Sequence, residues 1–98
     1  MFRNKVFNTK ITIEKLNEKL SDDNRWISEY ENWQETWASV SLKAITSKQA
    51  LYLFIIKWKQ DFPTKFRVKI NEKIFMPTQP PIVNPANDTI LFHAILVQ

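Results

Sequence analysis

Apolar and polar residues alternate with a period of two along most of this chain, whereas a helical period of 3.6 residues is weak. Clean alternation over residues 10–14 predicts a first strand. Residues 33–42 predict a second strand, which residues 25–31 could extend with Trp26, Ser28 and Tyr30 on one face. The polar stretch between these strands, residues 15–24, has no sustained apolar stripe and is predicted to be a loop.

The second half of the chain predicts further strands separated by turn and proline signals. Residues 51–59 form a third strand, with Tyr52, Phe54, Ile56 and Trp58 on one face. After a break at residues 61–64, residues 66–70 and 73–76 form a hairpin around Asn71 and Glu72. Residues 43–49 are a loop or a short helix capped by Thr46 or Ser47. Residues 77–85 contain four prolines and predict irregular, edge-like chain, and residues 89–97 predict a closing strand that is apolar on both faces apart from His93.

About six mainly antiparallel strands with short connections predict an all-β fold, a small β-barrel or sandwich with room for one short helix. A length of 98 residues suits a single domain over residues 1–98. The longest apolar run has six residues, Leu51 to Ile56, so no membrane span is expected. The N-terminus lacks the apolar stretch of a secretory signal, and cysteine is absent, which together predict a soluble intracellular protein.

Glycine is absent, although average usage would give roughly seven in this length. Turns that require positive φ must therefore use Asn or Asp. We expect them at residues 22–24, at residues 71–72, at Asn84 and at residues 87–88. Phosphate-binding loops of the glycine-rich kind are excluded, and no cofactor is predicted.

Positive charge is concentrated between residues 57 and 73, where six cations face only Asp61 and Glu72. Alternation places Lys57 and Lys59 on one face of the third strand, and it places Lys65, Arg67 and Lys69 on one face of the next strand. If these strands are neighbours, the cations form a basic stripe that could meet phosphates. The favoured interpretation is an ordinary solvated outer face, whose lysines also protect strand edges from aggregation.

The remaining reactive or aromatic side chains do not form a catalytic constellation. The four tryptophans could stack bases but are more typical of core or interface anchors. His93 lies alone in an apolar strand, and Asp22 and Asp23 lack partner carboxylates at ligand spacing, so no metal site is predicted. Ser39 and Ser41 have no nucleophile elbow and no base. The sequence therefore predicts a protein that is not an enzyme.

The order of these segments resembles the head–tail joining proteins (head-closure, stopper or adaptor proteins) of tailed bacteriophages and prophages. The resemblance covers roughly residues 9–97. Trp37, Ala38 and Val40 match the second-strand signature of that family, and Arg67, Ile70, Ile74 and Phe75 match its hairpin. In the family the connection after the Trp-Ala-Ser motif is longer and can reach into the DNA channel, whereas residues 43–50 form a short connection here. The hairpin turn of the family usually contains a glycine, where this chain has Asn71 and Glu72.

The resemblance implies a structural virion protein that assembles as a homo-oligomeric ring below the portal and adaptor, closes the DNA-filled head and docks the tail. Its partners would be portal, adaptor and tail proteins, with non-specific contact to packaged double-stranded DNA and none to membranes. It would reside at the head–tail junction of the virion and in the bacterial cytoplasm during assembly. The residues expected to contact the DNA channel or a neighbouring subunit are Lys43, Lys48, Lys57, Lys59, Lys65, Arg67 and Lys69.

An alternative from another class is a free nucleic-acid-binding barrel of the OB type, with its aromatic side chains as stacking platforms. That function predicts salt-sensitive binding of single strands by the isolated monomer. A joining protein is expected to bind little before its ring assembles.

Overall fold

The computed structural model describes residues 7–84 and 86–97, and these residues form seven β-strands without a helix. The prediction for the N-terminal residues 1–6 and the prediction of irregular chain at Pro85 therefore lie outside the described residues. The strands are β1 (Thr9–Leu20), β2 (Trp26–Ile45), β3 (Ala50–Lys57), β4 (Phe66–Ile70), β5 (Lys73–Pro77), β6 (Ile82–Asn84) and β7 (Thr89–Leu96). The all-β fold class predicted from the alternation is confirmed.

The sheet closes on itself. Its order is β3-β2-β1-β4-β5-β7-β6, every pairing is antiparallel, and an additional pairing between β3 and β7 completes a barrel wall of six strands. The seventh strand, β6, pairs with the first half of β7, and β5 pairs with the second half of the same strand. Closure removes most of the free strand edges that a small open sheet would expose.

Side chains from six strands fill the barrel. The buried cluster consists of Ile11, Ile13, Ala38, Phe54, Ile56, Phe66, Val68, Phe75, Ile90, Phe92 and Ala94. At its centre the rings of Phe54 and Phe92 stack with their centroids 5.1 Å apart. Phe62, in the connection after β3, meets Phe66 edge-on at 4.9 Å. Alternation thus places every second residue of these strands inside the barrel, where the inward positions are apolar.

A β-bulge brings one tryptophan to this core. The register of β1 and β2 shifts between Ile13 and Glu14, so that Trp33 is the extra residue on β2. Its ring packs edge-on against Phe62 with centroids 5.6 Å apart. An inserted residue reverses which face of the strand the following side chains occupy. This reversal keeps Tyr30 outside the barrel and puts Ala38 inside it.

The prediction of a loop at residues 15–24 is wrong, because β1 continues to Leu20 and pairs with β2 along residues 26–31. We call residues 16–30 the hairpin arm. Beyond Lys15, β1 has no other partner strand, since its pairing with β4 ends at the pair Lys15–Phe66. A two-stranded ribbon has no core face to bury, so the sequence of the arm lacks a sustained apolar stripe. The arm contributes to a longest molecular dimension of 58 Å against a shortest of 22 Å.

Among the described residues of this glycine-free chain, four with positive φ make turns: Asn24 (63°), Asp61 (60°), Asn71 (54°) and Asp88 (56°). Three of them confirm expected turns, and Asp61 adds one that was not expected. Asn84 does not adopt positive φ, because it lies in the short strand β6. The hairpin of β4 and β5 closes with the pair Ile70–Lys73 around the two predicted residues.

Other boundaries differ from the prediction in smaller ways. β2 extends to Ile45, and residues 46–49 form a turn rather than a helix, in which Thr46 Oγ1 accepts a hydrogen bond from the backbone N–H of Gln49 at 3.0 Å. β3 ends at Lys57, so Trp58 lies beyond the strand and is 45% exposed instead of sharing the inner face with Phe54. Since the described residues contain no helix, none is long and apolar enough to span a membrane.

Candidate functional site

The basic residues of β4 lie on the outer face of the barrel, as alternation predicts. Phe66 and Val68 are buried inside, whereas Lys65 and Lys69 are exposed and Arg67 is half-buried. However, β4 lies between β1 and β5, and β3 lies between β2 and β7. The predicted basic stripe required β3 and β4 to be neighbours, and they are not. Going around the barrel, β1 and β2 separate them on one side, and β5 and β7 separate them on the other.

Arg67 of β4 and Lys65, which directly precedes β4, are paired with carboxylates of β1. Arg67 Nε donates a hydrogen bond to Glu14 Oε1 at 2.5 Å, and the guanidinium lies 4.1 Å from the centre of the Tyr30 ring. The Glu14 side chain is only 10% exposed and that of Arg67 28% exposed. Lys65 Nζ lies 3.1 Å from Glu18 Oε1 in a more exposed pair. These contacts fasten the base of the hairpin arm to the barrel wall, so Arg67 is occupied within the monomer.

The other predicted contact residues are not held in this way. Lys43, Lys48, Lys57, Lys59 and Lys69 make no ion pair with a carboxylate of the described residues. Lys57 Nζ lies 5.3 Å from the centre of the Phe7 ring, at the end of β3. These lysines are spread over the end of β2, the turn after it, both sides of the β3 terminus and β4. The structure does not gather them into one cluster.

The signature residues of the resemblance occupy mixed positions. Ala38 and Phe75 belong to the buried cluster, and Val40 and Ile70 pack against it. Trp37 is 52% exposed on the outer face, directly opposite Lys10 of β1. Ile74 of β5 pairs with Lys69 of β4 in the barrel wall. Most of the signature is therefore framework, and Trp37 is its exposed member.

The outer surface of the barrel has two different sides. On β1 and β4 the outward residues are polar or charged. On β3 and β7 the outward positions are apolar except for Lys57, Thr89 and His93. We call six of the outward residues the outer apolar face: Leu51, Leu53, Ile55, Leu91, His93 and Ile95. Ile55 at its centre is only 8% exposed, and the other five are half-buried. Among the described strands, the extensive contacts of β3 and β7 are with their neighbours in the sheet, so no second layer of strands lies over this face. A contiguous apolar face on a small domain is typical of an interaction surface.

A second apolar surface lies at the end of the hairpin arm. Leu20 and Trp26 form the last cross-strand pair of the ribbon and are 54% and 72% exposed, and Ile27, on the opposite face of the ribbon, is 40% exposed. We call these three residues the arm tip. Sequence analysis did not identify it, because residues 15–24 were interpreted as a loop. The alternation in this segment is too weak to reveal it, because Glu18 lies between Leu16 and Leu20 on the same face of the strand.

Polar contacts stiffen the turn that presents the arm tip. The Ser21 hydroxyl donates a hydrogen bond to Asp23, whose carboxylate also accepts one from Arg25 Nε at 2.9 Å. These two contacts, the Ser21 bond first, lower the pKa of the Asp23 carboxyl from its usual value. Across the ribbon, the hydrogen bond to Glu29 and its charge raise the pKa of Lys19. The backbone N–H of Ser21 donates to the carbonyl of Arg25 at 2.7 Å.

Charge is divided between the hairpin and the rest of the chain. Residues 14–35, which contain the arm and its base, carry seven carboxylates and three cations, a net charge of −4. The remaining residues carry three carboxylates and eleven cations, a net charge of +8. The total of +4 for the chain hides this separation. An acidic projection on a basic barrel makes the molecule electrically two-sided.

Chemical sites of other kinds do not emerge from the geometry. No group of three or more His, Cys, Asp or Glu side chains that could hold a metal occurs among the described residues. A shallow groove of about 340 Å³ lies at the base of the arm, between Leu16, Tyr30 and the chain around Met76. Its lining is mostly apolar side chains with Thr64, Lys65, Thr78 and Gln79 at the margin, and it contains no pair of acid and base groups.

Two solved structures share this fold over almost their entire length. One is the solution structure of protein SF1141 from Shigella flexneri 2a, with a TM-score of 0.77, 14% sequence identity and 95% of each chain covered. The other is a chain in the virion of a native gene transfer agent particle, with a TM-score of 0.70 and 13% identity, covering 92% of this chain and 94% of that chain. At these identities the likeness establishes the fold. No family model and no curated protein matches the sequence.

Proposed function

We propose that this chain is a structural protein of a phage-like virion. The observation that carries the proposal is the shared barrel, which extends over nearly the whole of both chains, with a chain of the gene transfer agent virion. The resemblance of the sequence to head–tail joining proteins supports the same class. The outer apolar face and the exposed arm tip are features of a protein that functions by contacting other proteins.

Within the virion we place the chain in the head–tail connector, as a ring below the portal and adaptor that closes the head and docks the tail. Different surfaces on opposite sides of a subunit support heterologous contacts, which close into a ring when the rotation between subunits permits it. The basic barrel repeated around a channel would contact DNA phosphates without reading sequence. Lys43, Lys48, Lys57, Lys59 and Lys69 are the candidates for that contact, whereas Lys65 and Arg67 are already paired.

The test is binding to the portal–adaptor complex encoded beside this chain, followed by electron microscopy of the product. We expect an additional ring on the tail side of the complex. Failure of the purified chain to bind any portal–adaptor or tail protein of its own particle would contradict the proposal. Charge reversal at Lys59 and Lys69, which lie outside the outer apolar face, should leave ring formation intact and release packaged DNA, with Lys65→Gln as the control at a lysine that already faces a carboxylate. Unchanged DNA retention would remove DNA contact from the proposed function.

A second candidate function is favoured by the exposure of Trp37 beside Lys10 on the outer face. An aromatic ring flanked by a cation is the basic unit of single-strand binding by OB-type barrels. This function predicts salt-dependent affinity of the monomer for single-stranded DNA that is lost in Trp37→Ala. Such binding, together with no binding to the connector, would replace the structural function with this one.

A further inference from the structure

The hairpin arm and the outer apolar face lie on different sides of one molecule. Around the barrel wall, β1 and β2 carry the arm, whereas the face belongs to β3 and β7, and β7 lies three strands away from β1 in both directions. The arm leaves the wall where the pairing between β1 and β4 ends, and its tip stays exposed. The tip therefore does not cover the apolar face of its own molecule.

The two surfaces match each other in chemistry. The arm tip presents Leu20 and Trp26 on one face of the ribbon and Ile27 on the other, and residues 14–35, which contain the arm and its base, have a net charge of −4. The outer apolar face presents leucine and isoleucine side chains on a barrel whose remaining residues have a net charge of +8. Lys57 lies at one end of the face, next in register to the pair Ile56–Ile90. Apolar contact at the centre with opposite charges around it is the usual composition of a specific interface.

We infer that the arm tip of one copy of this chain docks on the outer apolar face of a second copy. Trp26 is the anchor of the contact, since a large, exposed aromatic ring that becomes buried supplies much of the energy of an interface. The arrangement is head to tail, because each molecule offers one arm and one face, and repetition of it generates a ring. This inference specifies how subunits would meet in the ring of the proposed function and rests on that function for its biological setting.

The cysteine-free sequence permits a direct test by cross-linking. Two single-cysteine variants, Asp22→Cys at the turn of the arm and Leu53→Cys on the face, are mixed and treated with a short bismaleimide. Any product that contains both variants is necessarily intermolecular. The control mixture replaces Leu53→Cys with Glu72→Cys, an exposed site on the β4–β5 turn. The experiment is done on the free protein over a range of concentrations and on the protein added to the portal–adaptor complex.

We expect the Asp22→Cys and Leu53→Cys mixture to give a cross-linked dimer and the control mixture to remain at background. Adding Trp26→Ser to the arm variant should raise the protein concentration needed for half-maximal cross-linking by about tenfold or more. High salt should also reduce the yield, because the charges lie at the surface. Trp58→Ser, at a tryptophan that is 45% exposed and belongs to neither surface, should leave the yield unchanged.

Three results would overturn the inference: no dimer in either setting, a dimer no more abundant than in the control mixture, or one that is insensitive to Trp26→Ser. Protection of Leu53→Cys by an adaptor or tail protein without any self-cross-link would also overturn it and would assign the face to that partner. The proposed function has a separate readout. Binding to the connector without the arm-to-face cross-link would support the proposed function and reject this inference. The cross-link without connector binding would support this inference and reject the proposed function.

Discussion

Arg67 is predicted to stabilise the monomer, although its position in a basic stretch of sequence would suggest a DNA contact. The substitution Arg67→Met keeps most of the apolar stem and removes the charge. It breaks the 2.5 Å hydrogen bond to Glu14 and the contact with the Tyr30 ring. A charge-assisted hydrogen bond contributes about 1.5–3 kcal/mol, and a partly exposed cation–π contact about 0.5–1 kcal/mol. We therefore expect a loss of roughly 2–4 kcal/mol in the free energy of unfolding.

Urea denaturation followed by tryptophan fluorescence measures this loss, and the thermal midpoint should fall by about 10–25 °C for a domain of this size. Lys69→Met is the matched control on the same face of the same strand, and it should cost less than about 0.5 kcal/mol. A double-mutant cycle with Glu14→Gln should give a coupling energy of about 1–3 kcal/mol, since the partners are in direct contact. The reasoning fails if Arg67→Met is as mild as Lys69→Met, or if the cycle shows no coupling.

Three further predictions concern the core, the arm and a turn. Phe92→Ala should lower the free energy of unfolding by about 3–5 kcal/mol in urea titrations, because the ring is buried against Phe54 and Phe66, whereas Leu91→Ala on the outer face should cost clearly less. The folded-state pKa of Asp23 should lie below 3.8 in carboxyl-carbon NMR titrations and rise in Ser21→Ala. A lowered folded-state pKa means that its local stabilisation of the arm turn is complete above the unfolded pKa and is lost as the pH falls through the folded one. Asn71→Gly should leave stability unchanged or raise it, whereas Asn71→Ala should lower it by about 1 kcal/mol, since φ at this residue is 54°; equal effects in chemical denaturation would contradict the turn assignment.

Strands that bury one or both faces could be predicted from the sequence. The alternation in residues 66–70 predicted β4 together with the side on which each residue lies. The apolar character of both faces of residues 89–97 likewise predicted β7, whose inner residues fill the core and whose outer residues form the apolar face. If the pairing register of such a strand shifted by one residue, its core side chains would become exposed. The sequence pattern therefore fixes the register, and the structure has the faces that the pattern predicts.

The hairpin arm could not be predicted in the same way, because its pairing is local and neither of its faces is buried. Its strands are held by cross-strand contacts such as the ion pair between Lys19 and Glu29 at 2.9 Å. The pairing of Glu14 with Arg67 was also beyond sequence reasoning, since the two residues are 53 positions apart and meet only through the register of β1 and β4. Closure by β3 and β7 depends on the same kind of long-range register.

The separation of charge gives net charge a different meaning in this protein. A chain of +4 spread evenly would be expected to attract DNA at every surface. Here the hairpin residues 14–35 would repel phosphate, whereas the barrel would attract both phosphate and the hairpin of another copy. Arm and DNA therefore compete for the same positive field, unless a ring places the arms on its outside and the free lysines towards its channel. In that arrangement, docking of the arms neutralises part of the barrel charge between subunits, and the remaining positive charge faces the channel. Added salt should therefore weaken the subunit contact and the DNA contact over the same range of ionic strength. If the two contacts are lost at clearly different salt concentrations, they depend on different cations of the barrel.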